Sequence, residues 1–278
     1  KDHTSYGAAL AMYIPFFIMF SFGHFVTRKE KVISLIVLGI LFIGFVLSYT
    51  RAAWLSLIIA GGVYVIVKLR IRFKPLFITV ATVLVLMILF WNQIEMGLEQ
   101  NSTQSSADFK THISSMTNIT SDASNLERIN RWSCALRMFE DKPFFGFGPG
   151  TYMFQYASYQ LNENRTIIST NSADGGNAHS EYLGPLSESG VLGLLTFILI
   201  IGIVVYTAIH TYMRLTDKRL KSFVLAALVA LVTYYVHGFL NNFLDTDKLS
   251  VPFWGFTAMI VAIDIYSRNQ IKAQKNPD

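Results

Sequence analysis

Asn177-Ala-His-Ser-Glu-Tyr-Leu-Gly-Pro-Leu-Ser-Glu-Ser-Gly-Val-Leu-Gly193 joins a long polar segment to a long apolar one. It places His179, Glu181 and Glu188 close to the point where an apolar run begins, and it carries Gly184, Gly190 and Gly193. The kind of chain that would hold such a stretch decides the fold.

Working outward, the chain has 278 residues, 52% of them hydrophobic and 15% charged. Soluble domains carry roughly 25% charged residues. The deficit comes from uninterrupted apolar runs, which mark a polytopic membrane protein. The single cysteine, Cys134, excludes an internal disulfide. The net charge of +5 could suggest nucleic acid. The basic residues, however, sit in short clusters between apolar runs, which is how membrane topology is encoded, and no nucleic-acid partner is expected. The chain opens Lys1-Asp2-His3-Thr4 and reaches its first apolar run within a few residues. That pattern is expected if the N-terminal part of a larger protein precedes it.

Seven spans are expected: Tyr6–Val26, Val32–Tyr49, Ala52–Val67, Pro75–Trp91, Ser189–His210, Ser222–Phe243 and Val251–Tyr266. The second and third meet at Ser48–Arg51 and read as two helices, since one would be about twice the ~30 Å membrane thickness. The expected organisation is four membrane helices in 1–91, a large outer loop in 92–188, and three membrane helices with a basic tail in 189–278. The connectors Thr27–Lys31, Lys68–Lys74, Thr211–Ser222 and the tail after Ser267 hold 14 of the 23 Lys and Arg residues. With seven spans all four fall on one side, and the positive-inside rule puts that side in the cytoplasm. The long loop then faces outward.

Within the loop, Leu126, Ile129, Trp132, Ala135, Leu136 and Phe139 recur at helical spacing, with Arg128, Arg131 and Glu140 off that stripe. This predicts an amphipathic helix on or near the membrane surface. It ends at Asp141-Lys142-Pro143, and Gly146-Phe147-Gly148-Pro149-Gly150 makes a tight turn, more a structural device than a phosphate cradle. Thr151 is placed to cap a short helix.

His179 has two readings. An imidazole that titrates near ~6.5 can take a proton from a sugar hydroxyl, or it can make structural hydrogen bonds at the interface. Arg51, at the outer end of the hinge, either snorkels to lipid phosphates or holds a phosphorylated ligand. Arg128 and Arg131 raise the same choice. His237, followed by Asn241 and Asn242, is a polar group at membrane depth. No His/Cys/Asp cluster has metal-ligand spacing, so no metal or cofactor is expected.

His179-Ser180, nine residues, then Gly190-Val191-Leu192-Gly193 resembles the His-[Asn/Ser/Gln]-x9-Gly-x-x-Gly motif of the O-antigen ligase family. Arg51-Ala52-Ala53-Trp54-Leu55 resembles that family's Arg-x-x-x-Leu motif. Arg128 to Trp132, Asp141-Lys142-Pro143 and Gly146 to Gly150 look like the pattern of its large periplasmic loop, shared with O-antigen and exopolysaccharide polymerases. The resemblance implies an all-α, GT-C-like membrane bundle in the bacterial inner membrane, with a periplasmic loop over an outward cavity. It implies metal-independent transfer of a glycan from undecaprenyl diphosphate to an acceptor hydroxyl, on lipid A–core or on another lipid-linked glycan. On this chain His179 would be the base, and Arg51 and Arg128 would bind the diphosphate. Arg131 and Glu181 stand as supporting candidates, although two residues along a helix Glu181 would not face His179. The competing classes are a polysaccharide transporter or flippase, for which no internal repeat is visible, and a non-catalytic scaffold.

Overall fold

The computed structural model describes residues 3–71, 123–162, 165, 169 and 176–275. These form helices α1 (His3–Phe22), α2 (Arg28–Leu47), α3 (Arg51–Lys68), α4 (Ala123–Asp141), α5 (Tyr152–Gln155), α6 (Leu183–Arg214), α7 (Lys218–His237) and α8 (Asp247–Lys275). A 3-10 turn, Tyr156–Tyr159, continues α5. The described residues contain no strand, and the chain is all-α.

Among the described residues six helices are long and apolar enough to cross a membrane: α1, α2, α3, α6, α7 and α8. They match six of the seven expected spans. The remaining one, Pro75–Trp91, lies outside the described residues, as does the start of the loop.

The bundle is built on α7. Every residue from Val224 to Leu231 is buried, so this helix is enclosed on all sides. Helices α1, α3, α6 and α8 pack around it. Helix α2 packs on α1 and buries only Ser34 and Phe45, leaving an apolar face for lipid. The α2–α3 hinge is real. Its Thr50 hydroxyl donates to the His3 carbonyl (3.2 Å), and Gly7 makes room for Ser48 and Thr50.

The two ends of the bundle differ in charge. At one end Phe25 in the α1–α2 connector meets Phe223 near the start of α7 (6.0 Å), and Lys221 lies over the Tyr212 ring (4.7 Å). Val67 at the end of α3 shares a core with Tyr212 and Leu215. The described parts of the four basic connectors therefore gather at one end, as their alternation requires. The hinge Ser48–Arg51, the start of α6 and the α7–α8 connection occupy the other.

Helix α4 differs from expectation. Its buried face is Glu127, Asn130, Arg131, Cys134, Ala135 and Met138, whereas Ile129 and Leu136 are exposed. The helix is rotated because its polar groups have partners inward. Arg131 pairs with Glu127 (2.9 Å), and the Asn130 amide donates to Gln160 (3.0 Å). A small core of Cys134, Ala135, Met138, Tyr152, Tyr156 and Ala178 then sits outside the membrane bundle.

At the basic end Asp264 accepts from Thr211 (2.7 Å), Arg214 (2.5 Å) and Arg268 (2.8 Å), tying α6 to α8. Replacing Asp264 by Ala leaves the buried Thr211 hydroxyl and the Arg214 guanidinium without that acceptor. The expected loss is about 1–3 kcal/mol, read as a lower unfolding midpoint in detergent.

Candidate functional site

Helix α6 is broken near its start. Gly190 has φ 66° and ψ −162°, a conformation open almost only to glycine and costing any other residue about 1–3 kcal/mol. In an unbroken helix the Val191 N–H would bond to Ser187 and the Leu192 N–H to Glu188. Instead the glycine-rich turn after α4 takes up the freed groups. Val191 donates to Pro143 O (2.7 Å), Ser187 O accepts from Phe147 (3.4 Å), and Glu188 O accepts from Gly148 (2.7 Å).

The two backbones touch at glycines on both sides. A Cβ on Gly146 would stand 2.3 Å from the Glu188 carbonyl carbon, and one on Gly190 would stand 2.4 Å from the Phe144 carbonyl. The Glu188 side chain completes the joint. Its two oxygens accept from Gly150 N and Tyr152 N (2.9 Å each), at the start of α5. The turn's N–H groups thus already hold an anion from within the chain, in accord with its reading as a structural device. The two glycines of the Gly-x-x-Gly motif serve different ends. Gly190 is the break, and Gly193 makes room for the Pro185 carbonyl of the same helix.

His179 lies just before α6, half-buried and in a left-handed conformation (φ 49°). Its main chain is held at both ends. The N–H donates to the Asn177 side chain (3.1 Å), and the carbonyl accepts from the Trp132 indole (3.3 Å). Asn177 is itself held by Arg131 on its carbonyl (3.2 Å) and by Asn242, which accepts from its amide (3.1 Å). Gly176 (φ +64°) packs where a Cβ would strike the Arg131 guanidinium at 2.7 Å. Such a positive φ on a histidine persists only where surrounding contacts impose it.

Arg128 and Trp132 are one turn apart on α4, so the helix that grips His179 presents Arg128 on the same side. Arg131 is engaged differently. It is buried, paired with Glu127, and lies over the Tyr156 ring at 4.7 Å. It supports the His179 segment through Asn177 and Gly176. Arg51 opens α3 and is exposed. It stands at the same end of the bundle as His179, but on a separate helix, each helix being packed on α7.

Glu181 does not turn to the histidine. Its buried carboxylate accepts from the Tyr234 hydroxyl and from Phe243 N and Leu244 N (2.8 Å each). The Asn242 amide, with its nitrogen facing the carboxylate, adds contacts of 3.2 and 3.0 Å. The Glu181 N–H donates to Gly238 O (2.8 Å), and Tyr182 stacks on Phe239 (4.1 Å). Glu181 therefore fastens the His179 segment to the α7–α8 connection. Burial pushes its carboxyl above the ordinary glutamate value, against the Tyr234 hydroxyl and the two N–H donors, which pull it down. His237 is 1% exposed, with Asn241 3.1 Å from its ring. It belongs to the packing beneath the site.

Two consequences are measurable. Cys134, the chain's one cysteine, is 0% exposed, and burial raises its thiol above the ordinary value, so maleimide should label it slowly. Glu188→Ala removes two charge-assisted bonds, each worth about 1.5–3 kcal/mol, and should release the turn so that Cys134 is labelled severalfold faster. For Glu181, folding holds a proton more tightly than the unfolded chain does. That contribution is full below the ordinary glutamate value and is lost as pH rises through the raised folded value. The unfolding midpoint of the native chain should accordingly fall over that window relative to Glu181→Gln, which cannot ionise.

A family model described as O-antigen ligase matches residues 35–198, more than half of the chain. The match runs from within α2 through the hinge, α4, the glycine-rich turn, His179 and the break in α6. No curated protein matches. The fold, the order of the elements and the family match agree: this chain, a multi-pass membrane protein, belongs to the O-antigen ligase family, whose members are ligases and polymerases of glycosyltransferase type.

Proposed function

We propose that the protein transfers a glycan from a lipid diphosphate, undecaprenyl diphosphate, to an acceptor hydroxyl at the outer leaflet of the bacterial inner membrane. The acceptor is most simply lipid A–core. His179 is the base that takes the acceptor proton. Arg51 and Arg128 bind the diphosphate and stabilise the charge that develops as it leaves. Guanidiniums supply that charge without titrating, so no metal is needed.

The observation that carries this reading is the backbone of His179. A histidine held at positive φ by Trp132 and Asn177, where the outer loop meets a broken span, is built to a fixed orientation at some energetic cost. Arg128, one turn from that tryptophan, supports the diphosphate role, as does Arg51 at the same end of the bundle. Displacement by one activated hydroxyl inverts the anomeric carbon.

The test is transfer by the full-length protein in proteoliposomes, with lipid-linked glycan as donor and lipid A–core as acceptor. His179→Ala should lower turnover by roughly 10²–10⁴-fold. Arg51→Ala and Arg128→Ala should raise the donor KM as well. Undiminished transfer by His179→Ala, or a product of retained configuration, would overturn the scheme. Transfer onto a second lipid-linked glycan, but not onto lipid A–core, would make the enzyme a polymerase with the same chemistry.

A further inference from the structure

The glycine-rich turn carries two phenylalanines side by side. Phe144 is 67% exposed and Phe145 77%. Burying a phenylalanine side chain is worth roughly 1.5–3 kcal/mol, so two adjacent exposed rings mark a surface made for an apolar partner.

The height of these rings along the bundle is fixed. The turn is closed by Gly146 N to Lys142 O (3.1 Å) and bonded to α6 by Val191 N to Pro143 O (2.7 Å). The Phe144 main chain lies directly against Gly190. Both rings therefore stand level with the break in α6. Immediately beyond it, α6 exposes Leu192, Leu195, Ile198, Leu199 and Ile203, a face that a membrane span gives to hydrocarbon. The phenylalanines stand at the upper end of this stretch of α6, where the Phe144 main chain meets Gly190. On the other flank of the turn Glu140, Asp141 and Lys142 are exposed. Charge and aromatic surface are thus divided across a few residues at the level where a span begins, as in segments that lie in the headgroup layer.

We propose that Phe144 and Phe145 insert into the acyl region of the leaflet at the His179 end of the bundle. The partner of this surface is lipid, and the insertion sets the height of the outer loop above the membrane. The wedge is already rigid, so little ordering entropy opposes insertion.

The test is depth measurement by a spin label. Phe145→Cys is made in the full chain in a Cys134→Ala background, labelled with a nitroxide and reconstituted into phospholipid nanodiscs. Leu195→Cys serves as the lipid reference and Glu140→Cys as the hydrated one. The label at Phe145 is expected to collide with oxygen in preference to a water-soluble nickel chelate, in a ratio close to that at Leu195. A ratio like that at Glu140 would overturn insertion. So would protection from both reagents, which would signal a protein partner. Phe144→Cys provides the same measurement at a second position. None of these readings depends on transfer activity, so the inference can fail while the proposed chemistry stands, and the reverse.

Discussion

Val191 gives its N–H to Pro143, in another segment of the chain, and the organisation of the His179 end follows from that bond. A helix that breaks frees main-chain groups, and each one buried without a partner costs about 1–3 kcal/mol. Here the turn after α4 supplies one acceptor for the freed N–H and two donors for the freed carbonyls. The break and the turn are therefore stable only together. Gly146 and Gly190 are needed because two backbones meet where no side chain fits.

Around this joint two glutamates are turned inward. Glu188 is occupied by the N–H groups of Gly150 and Tyr152, and Glu181 by Tyr234, Phe243 and Leu244. Each carboxylate fastens a neighbouring element rather than facing outward. Glu127 holds Arg131 within α4 itself. The scaffold under His179 is consequently an array of anchored segments, with α4 above, α7 and α8 below, and the histidine backbone strained between them.

Much of this architecture was legible in the sequence. The spans follow from apolar length, their order from the basic connectors, and the hinge at Ser48–Arg51 from the limit that membrane thickness places on one helix. His179, Arg51 and Arg128 stand out as candidates through the resemblance to the family's motifs. The break in α6 was not. Gly190 and Gly193 stand one turn apart, a spacing that equally describes close helix contact, and only the tertiary partner at Pro143 decides between them. The face of α4 was misread for a related reason. Hydrophobic periodicity does not count Glu127, Asn130 and Arg131 as buried, because their burial depends on partners distant in sequence. The role of Glu188 was not legible, since the N–H groups that it serves lie more than thirty residues earlier.

The order in which these partners are synthesised gives the broken helix a history. The turn at 143–150 leaves the ribosome before α6 does, so the groups that repair the break already exist when the span arrives. The stretch from Leu183 to Arg214 can enter the bilayer as one continuous helix, with every backbone group satisfied internally. Bending at Gly190 requires the turn, because Pro143, Phe147 and Gly148 supply the partners of the freed groups. The segment that precedes the span thus carries the partners that its bend needs.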